Sequence, residues 1–417
     1  MFLIVSTVIK FGLFAVVFGL GLAAVLTWME RRQSAYSQDR LGPTRAHFFK
    51  LFGKPFVLFG FIHIVADLLK MLFKEPFVPR DADRSVFNVA PLIGFATSLV
   101  ILSLIPFGPD LDSRGWGTIL RGLVDTSSWG VIPLQVVRLD VGVLWALAVG
   151  SLGIYGVALA GWASNNRFAL LGGMRASAQS ISYEIVLGLT IVGVLIAYGS
   201  TEFSAIVDAQ NGLRYGFLPN WGIFIQPLGA TLFFIAATAE TKRTPFDLPE
   251  GESEIIGYFV EYSSMGFGMF MLGEFVEIVV LACMFVTLFL GGWQFPYLIG
   301  ETSTSLDHFF RVLGFTDVSW VRPLAGMLTF SIKVFLVCAL QVQIRWTLPR
   351  FRYDQLMRLG WKSMLPLALV NIFVTAGLFW WDPSLAVLAN VGVLLMILCG
   401  LVVVAGPRRS QVVSHGH

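Results

Sequence analysis

Apolar residues along this chain come in blocks separated by short polar runs, and each block is about as long as a bilayer is thick. A helix needs about 20 consecutive apolar residues to cross the hydrocarbon core. The pattern predicts spans over residues 3–28, 86–107, 141–162, 180–200, 222–240, 270–292, 323–346 and 362–381. A ninth follows over 385–405, after the Trp381-Asp382-Pro383 break. The expected fold is all-α, a polytopic transmembrane bundle of eight core helices plus a ninth, C-terminal one. Residues 1–382 would form a single membrane domain, and 383–417 the extra helix and a tail. Between 45 and 75 the pattern changes. Apolar residues recur at helical spacing with Lys50, Lys54, Lys70 and Lys74 interleaved, which predicts an amphipathic helix lying in the membrane interface. No internal repeat or low-complexity tract is apparent.

Composition sharpens this picture. The 417 residues are 56% hydrophobic and 13% charged, with a mean hydropathy of +0.76. Soluble domains keep about a quarter of their residues charged, so this chain lacks the polar residues to cover a water-facing surface. Met1 leads straight into an apolar stretch broken only by Lys10, and no small-residue cleavage site follows. The first segment therefore reads as a retained helix rather than a signal peptide.

Charge gives an orientation. If the loop after the first helix faces inward, it holds ten basic residues, Arg31 to Arg84, and later loops on the same side hold eleven more. That side thus collects twenty-one of the 29 basic residues. The positive-inside rule then puts the N-terminus outside and the C-terminus in the cytoplasm. The outer connections, 108–140, 201–221 and 293–322, are rich in Gly, Ser, Thr and Trp and read as solvated loops.

Candidate chemistry lies at the inner helix ends. Residues 240–277 hold eight of the 26 acidic residues, including Glu240, Asp247, Glu250, Glu252, Glu254, Glu261, Glu274 and Glu277. Crowded carboxylates raise one another's pKa and share protons, as a proton relay requires. A solvated acidic loop is the plain alternative, but Pro245, Phe246, Leu248 and Pro249 suit water poorly. Glu184 is expected about one turn inside the fourth span, Glu240 at the inner end of the fifth and Glu274 one turn inside the sixth. Glu30 ends the first helix and Asp67 sits on the amphipathic segment. Ionisable groups within a bilayer usually face a bundle interior or a wet cavity. Singly, each carboxylate reads equally well as the partner of one arginine. Lys333, deep in the seventh span, is either a paired or snorkelling lysine or a relay group passing charge outward. Arg31, Arg40 and Arg243 suit an anionic or carbonyl-bearing group, or pair with a carboxylate or lipid phosphate.

Cys283, Cys338 and Cys399 all lie in apolar segments, where thiols act as small hydrophobes. Iron–sulfur clusters need about four suitably spaced ligands. Neither such a set nor a nucleotide-binding glycine loop is present, so no metal, redox cofactor or nucleotide is expected on this chain.

Several stretches resemble a known family. Glu30-Arg31-Arg32 with Gln38-Asp39-Arg40-Leu41-Gly42-Pro43 is similar to the end of the first helix in the quinone-chamber membrane subunit, the H subunit, of the proton-pumping NADH–quinone oxidoreductase, respiratory complex I. Ala66-Asp67 through Lys74-Glu75 resembles that family's interfacial helix. Gly161-Trp162-Ala163-Ser164-Asn165-Asn166, Leu170-Leu171-Gly172 and Ser182-Tyr183-Glu184 match as well. The most specific stretch runs from Glu240 through Lys242, Arg243, Pro245 and Asp247 to Glu254, then Glu261-Tyr262. Arg350-Phe351-Arg352-Tyr353-Asp354-Gln355-Leu356-Met357 completes the set, and the similarity covers roughly residues 10–380.

The resemblance implies eight core helices that dock a peripheral arm and supply the membrane part of a quinone chamber. Arg31, Tyr183, Arg243, Phe246 and Asp247 would line or shape that chamber. Glu30, Asp67, Glu184, Glu240, Glu250, Glu252, Glu254, Glu261 and Glu274 would relay protonation changes. The implied partners are the quinone substrate, the lipid bilayer, the peripheral-arm quinone-site and iron–sulfur subunits, small membrane subunits and antiporter-like pumps. FMN and the iron–sulfur clusters would reside in partners, as would the quinone's immediate proton donors, so that this chain would be part of an enzyme but catalyse nothing alone; nucleic acid has no part. The implied location is a bacterial inner membrane. Two departures stand out: His63 and Ile64 occupy places where the family usually has Gln-Pro, and Thr44 stands where Asn is frequent. Losing that proline removes a kink. A membrane-bound hydrogenase or another non-NADH quinone reductase offers a homologous subunit as an alternative; a stand-alone ion carrier is a third reading, although such carriers often show inverted repeats.

Overall fold

The computed structural model describes residues 2–47, 50–51, 54–55, 57–112, 131–214, 218–249, 251, 257–294, 321–383 and 385–405. Among these, seven helices are long and apolar enough to cross a membrane. They are Thr7–Ser37 (α1), Arg84–Leu104 (α3), Gly142–Ala163 (α4), Arg167–Tyr198 (α5), Ser264–Phe289 (α8), Pro323–Thr347 (α9) and Tyr353–Trp381 (α10). Between them come Ile62–Phe73 (α2), Phe203–Ala209 (α6) and Pro227–Glu240 (α7). Ala386–Ala405 (α11) closes the described chain. The remaining regular structure among the described residues is two short helical turns, Leu58–Gly60 and Gly222–Ile225, and three two-residue antiparallel pairs. The protein is an all-α, multi-pass membrane protein. Only this architecture and closed barrels satisfy every backbone polar group within lipid.

Helix α8 is the axis of the bundle. Its central window is 78% buried, against 22–56% for the other six. α3, α1 and α9 pack around it, while α5 lies between α4, α7 and α10. Small residues set the closest approaches. A Cβ on Gly156 of α4 would stand 2.8 Å from the backbone nitrogen of Gly94 in α3. Glycine there lets two backbones meet, the usual device where lipid supplies no hydrophobic drive between helices.

Every predicted span has a helix, but four details differ. α5 starts at Arg167 rather than 180, capped by the Asn166 side chain, which accepts from the Phe168 N–H. Glu184 therefore lies far along that helix instead of one turn inside, and Glu274 is likewise ten residues into α8. The fifth span is broken. A turn at Gly222–Ile225 leads to Gln226, with φ −134° and ψ 64°, and α7 begins at Pro227. Proline suits a first helical position because it has no N–H to satisfy. The predicted amphipathic helix over 45–75 is confined to Ile62–Phe73, since Lys50–Leu51 pairs with Lys54–Pro55 as strands and Phe59 at φ 54° breaks any continuation. Leu68, Leu69, Leu72 and Phe73 of α2 are exposed, the apolar face expected of an interfacial helix.

Of the outer connections, residues 113–130, 215–217 and 295–320 lie outside the described residues, but 201–214 is not a solvated loop. Phe203, Ile206 and Val207 are fully buried. The Gln210 side chain accepts from the Gly222 and Gly291 N–H groups and donates to Thr287 O. Apolar residues hidden among its Gly and Ser positions turn this segment into a plug on the bundle end. α11 packs through Leu388 and Ala389 on Ile225 and Ala197.

Candidate functional site

The segment after α7 folds inward. Thr241 ends the helix and Lys242 turns the chain at φ 52°, in the left-handed region. Lys242, Phe246 and Leu248 are all buried. Gln179 of α5 donates through Nε2 to Ala239 O at 2.7 Å and to Phe246 O at 2.9 Å, tying the segment to the bundle. Phe246 stacks on Phe351 with ring centroids 5.5 Å apart and leans on Tyr183 at 6.2 Å. Tyr183 is fully buried and donates its hydroxyl to Leu356 O at 2.9 Å. The apolar residues that suited water poorly in the sequence are the ones that anchor the segment.

A cavity of about 80 Å³ lies between α3, α4, α5, α8 and the end of α7. Glu184, Glu240, Glu274 and Glu277 all line it, together with Lys242, Tyr258 and Ser180. A water needs about 10–15 Å³ by this measure, so several fit. Towards the far end of α8 the lining turns apolar, with Val280, Leu281 and Met284. The Tyr258 hydroxyl donates to Glu274 Oε1 at 2.9 Å. Glu240 Oε2 is buried and hydrogen-bonds to none of the described residues. Buried carboxylate oxygens are normally paired, so this one is suited to holding a proton or a water.

Beside the cavity stands a cluster of ion pairs. Arg243 donates to Glu30 Oε1 at 2.7 Å and reaches to within 3.9 Å of Glu274 Oε2. Its guanidinium lies 4.0 Å from the centroid of the Phe275 ring. Arg345 of α9 pairs with the same Glu30 oxygen. Further along, Arg350 donates to Asp247 Oδ2 at 2.8 Å. Burial pushes the Asp247 carboxyl up to about 6, with Arg350 opposing that shift. Glu274 is the common member: one oxygen meets Tyr258 in the cavity and the other faces Arg243.

Not every candidate gathers here. Arg31 and Asp67 pair with each other across α1 and α2, each more than a third exposed. Arg40 bonds locally to Gln38 and Ser34. Glu261 accepts from Asn166 Nδ2 at 2.6 Å in a separate cleft with Arg80 and Asp81. Lys333 donates to the carbonyls of Leu290, Gly292 and Gln294 at 2.6–3.0 Å, and lies 4.3 Å from the Trp221 ring. It caps the C-terminal end of α8. Glu250, Glu252 and Glu254 lie outside the described residues. Three participants have no individual role assigned by the sequence alone: Glu277, Lys242 and Arg345. Glu277 was legible as the i+3 neighbour of Glu274 on one helix face. Arg345 had no local signal, because it meets Glu30 from the opposite end of the chain.

A family model described as NADH dehydrogenase matches residues 9–376. The chain is 43% identical to the second NADH-quinone oxidoreductase H subunit of Syntrophobacter fumaroxidans over 362 residues, covering 86% of this chain and 92% of that one. It is 43% identical to the H subunit of Thermomicrobium roseum over 91% of this chain and 97% of the relative. The H subunit of Bdellovibrio bacteriovorus is 41% identical, over 84% and 90%. By its matched span and its likeness to these relatives, the chain belongs to the NADH dehydrogenase family, alongside the H subunits of NADH–quinone oxidoreductases.

Proposed function

We propose that this chain is the component of a proton-translocating NADH–quinone oxidoreductase that shapes the membrane side of the quinone chamber and relays quinone reduction to proton movement. The observation that carries the reading is Glu274, shared between the Arg243–Glu30–Arg345 cluster and a cavity holding Glu184, Glu240 and Glu277. Reduction of a quinone takes up electrons and protons, and so changes the charge at the chamber. A charge change near Arg243 alters the field at Glu274, and carboxylates sharing one cavity redistribute protons in response. Arg31, Tyr183, Arg243, Phe246 and Asp247 give the chamber wall, Arg243 orienting the carbonyl-bearing head. Glu30, Asp67, Glu184, Glu240, Glu261 and Glu274 form the relay on this reading, extended by Glu250, Glu252 and Glu254. Electrons come from iron–sulfur clusters and FMN in partner subunits, and the proton path continues into small membrane subunits and antiporter-like pumps. The basic inner loops support a cytoplasmic C-terminus and an outer N-terminus in a bacterial inner membrane. The H subunits named above favour an NADH-linked complex over a hydrogenase.

The test is Glu184→Gln and Glu240→Gln in the assembled complex, reconstituted into vesicles. NADH-driven proton uptake should fall at least about tenfold, on the low side of what positioned proton-transfer groups contribute. Uptake and quinone reduction both at the parental level would remove the residue from the relay.

A further inference from the structure

Lys242 is a buried cation in the wall of the carboxylate cavity. Its backbone is turned into the left-handed region directly after α7, and the residue is 6% exposed. Glu240 faces the cavity from α7, Glu184 from α5, and Glu274 and Glu277 from α8, while Tyr258 comes from the segment before α8. α3 and α4 contribute neutral residues only, among those described. The Lys242 ammonium lies 5.7 Å from the centroid of the Tyr258 ring, and the Tyr258 hydroxyl is bonded to Glu274. The next residue, Arg243, is not in the cavity lining and instead grips Glu30. Adjacent residues thus place one positive charge in the cavity wall and the next in the ion cluster that reaches Glu274.

Carboxylates that share one small cavity raise the cost of each other's ionisation. A cation held among them sets how many ionise before protonation becomes favourable. We propose that Lys242 is the counter-charge that fixes how many protons this cavity holds at rest, and that its attachment to Arg243 lets movement in the ion cluster reset that number. Lys242 acts through the glutamates and is a positioning residue. The inference deepens the relay reading and rests on it.

The experiment uses the whole complex carrying Lys242→Met or Lys242→Arg. Infrared difference spectroscopy follows the protonated-carboxyl band during a pH titration, the cavity band being assigned by its loss in Glu240→Gln. Proton uptake per quinone reduced is measured in vesicles alongside. In Lys242→Met the cavity carboxyls should titrate about one to three pH units higher, the range a nearby opposite charge imposes. Uptake per quinone should fall at least twofold, and Lys242→Arg should restore both. An unchanged titration in Lys242→Met overturns the inference. A shifted titration with unchanged uptake leaves the counter-charge intact and sinks the relay reading instead. If Lys242→Met does not assemble, Lys242→Gln, which keeps a polar head without the charge, carries the same titration test.

Discussion

Two places in this bundle hold charge among apolar helices, and they handle it in opposite ways. Lys333 meets three backbone carbonyls at the end of α8, one acceptor for each ammonium hydrogen. The carboxylate cavity holds four glutamates with Lys242, and Glu240 Oε2 has no hydrogen-bond donor among the described residues. A saturated ion has one stable state and stiffens its surroundings. An undersupplied group can gain or lose a proton at modest expense, because neither state is fully satisfied. The difference assigns architecture to Lys333 and responsiveness to the cavity.

The contrast breaks most directly at Lys333. Lys333→Met strips three buried carbonyls of their donor and should destabilise the protein by about 3 kcal/mol. Thermal unfolding of the complex should show the loss while turnover per assembled complex holds. A collapse of turnover in well-assembled complex would instead make Lys333 a relay group. Glu277→Gln comes next. It removes a titrating member of the cavity and should lower proton uptake about tenfold with assembly intact, measured in vesicles. Tyr258→Phe deletes only the hydroxyl that holds Glu274, a bond worth about 1.5–3 kcal/mol when it meets a charged acceptor. Water in the cavity recovers part of that, so coupled uptake should drop by roughly threefold to tenfold.

The smallest effect concerns Asp247. Its folded carboxyl titrates at about 6, above its ordinary value of 3.8, because burial outweighs Arg350. The folded state therefore holds this proton more tightly than the unfolded chain. Its contribution to stability falls as pH rises from about 4 to 6 and is constant above. Asp247→Asn should flatten the stability profile between about pH 4 and 6, read by thermal unfolding across that range. An equal slope in parent and variant would show that the group titrates elsewhere.

Much of this was written in the chain. Block length gave the spans, and the inward crowding of acids at 240–277 pointed to the cavity. The apolar residues at 245–249 argued correctly against a solvated loop. What hydropathy did not show were features set by partners distant in sequence. The extension of α5 back to Arg167 passes through the polar run Gln179-Ser180, which a hydropathy window discounts but a buried helix accommodates. Gln179 tolerates burial there because it bonds two backbone carbonyls of the 239–246 stretch. The buried side of Phe203–Gln210 was hidden for the same reason: Gln210 bonds backbone groups of Gly222, Thr287 and Gly291, all outside its own segment. Arg345 joined Glu30 only through tertiary packing.

The break at Gln226 has its own consequence. α7 has 14 residues and rises about 21 Å, short of the roughly 30 Å of hydrocarbon. The missing depth is filled around Gln226, whose amide donates to Gly193 O and Thr375 and accepts from Asn371. The start of α7 is thus moored to α5 and α10 by a knot of amide and hydroxyl groups rather than by a backbone ladder running on into the next turn.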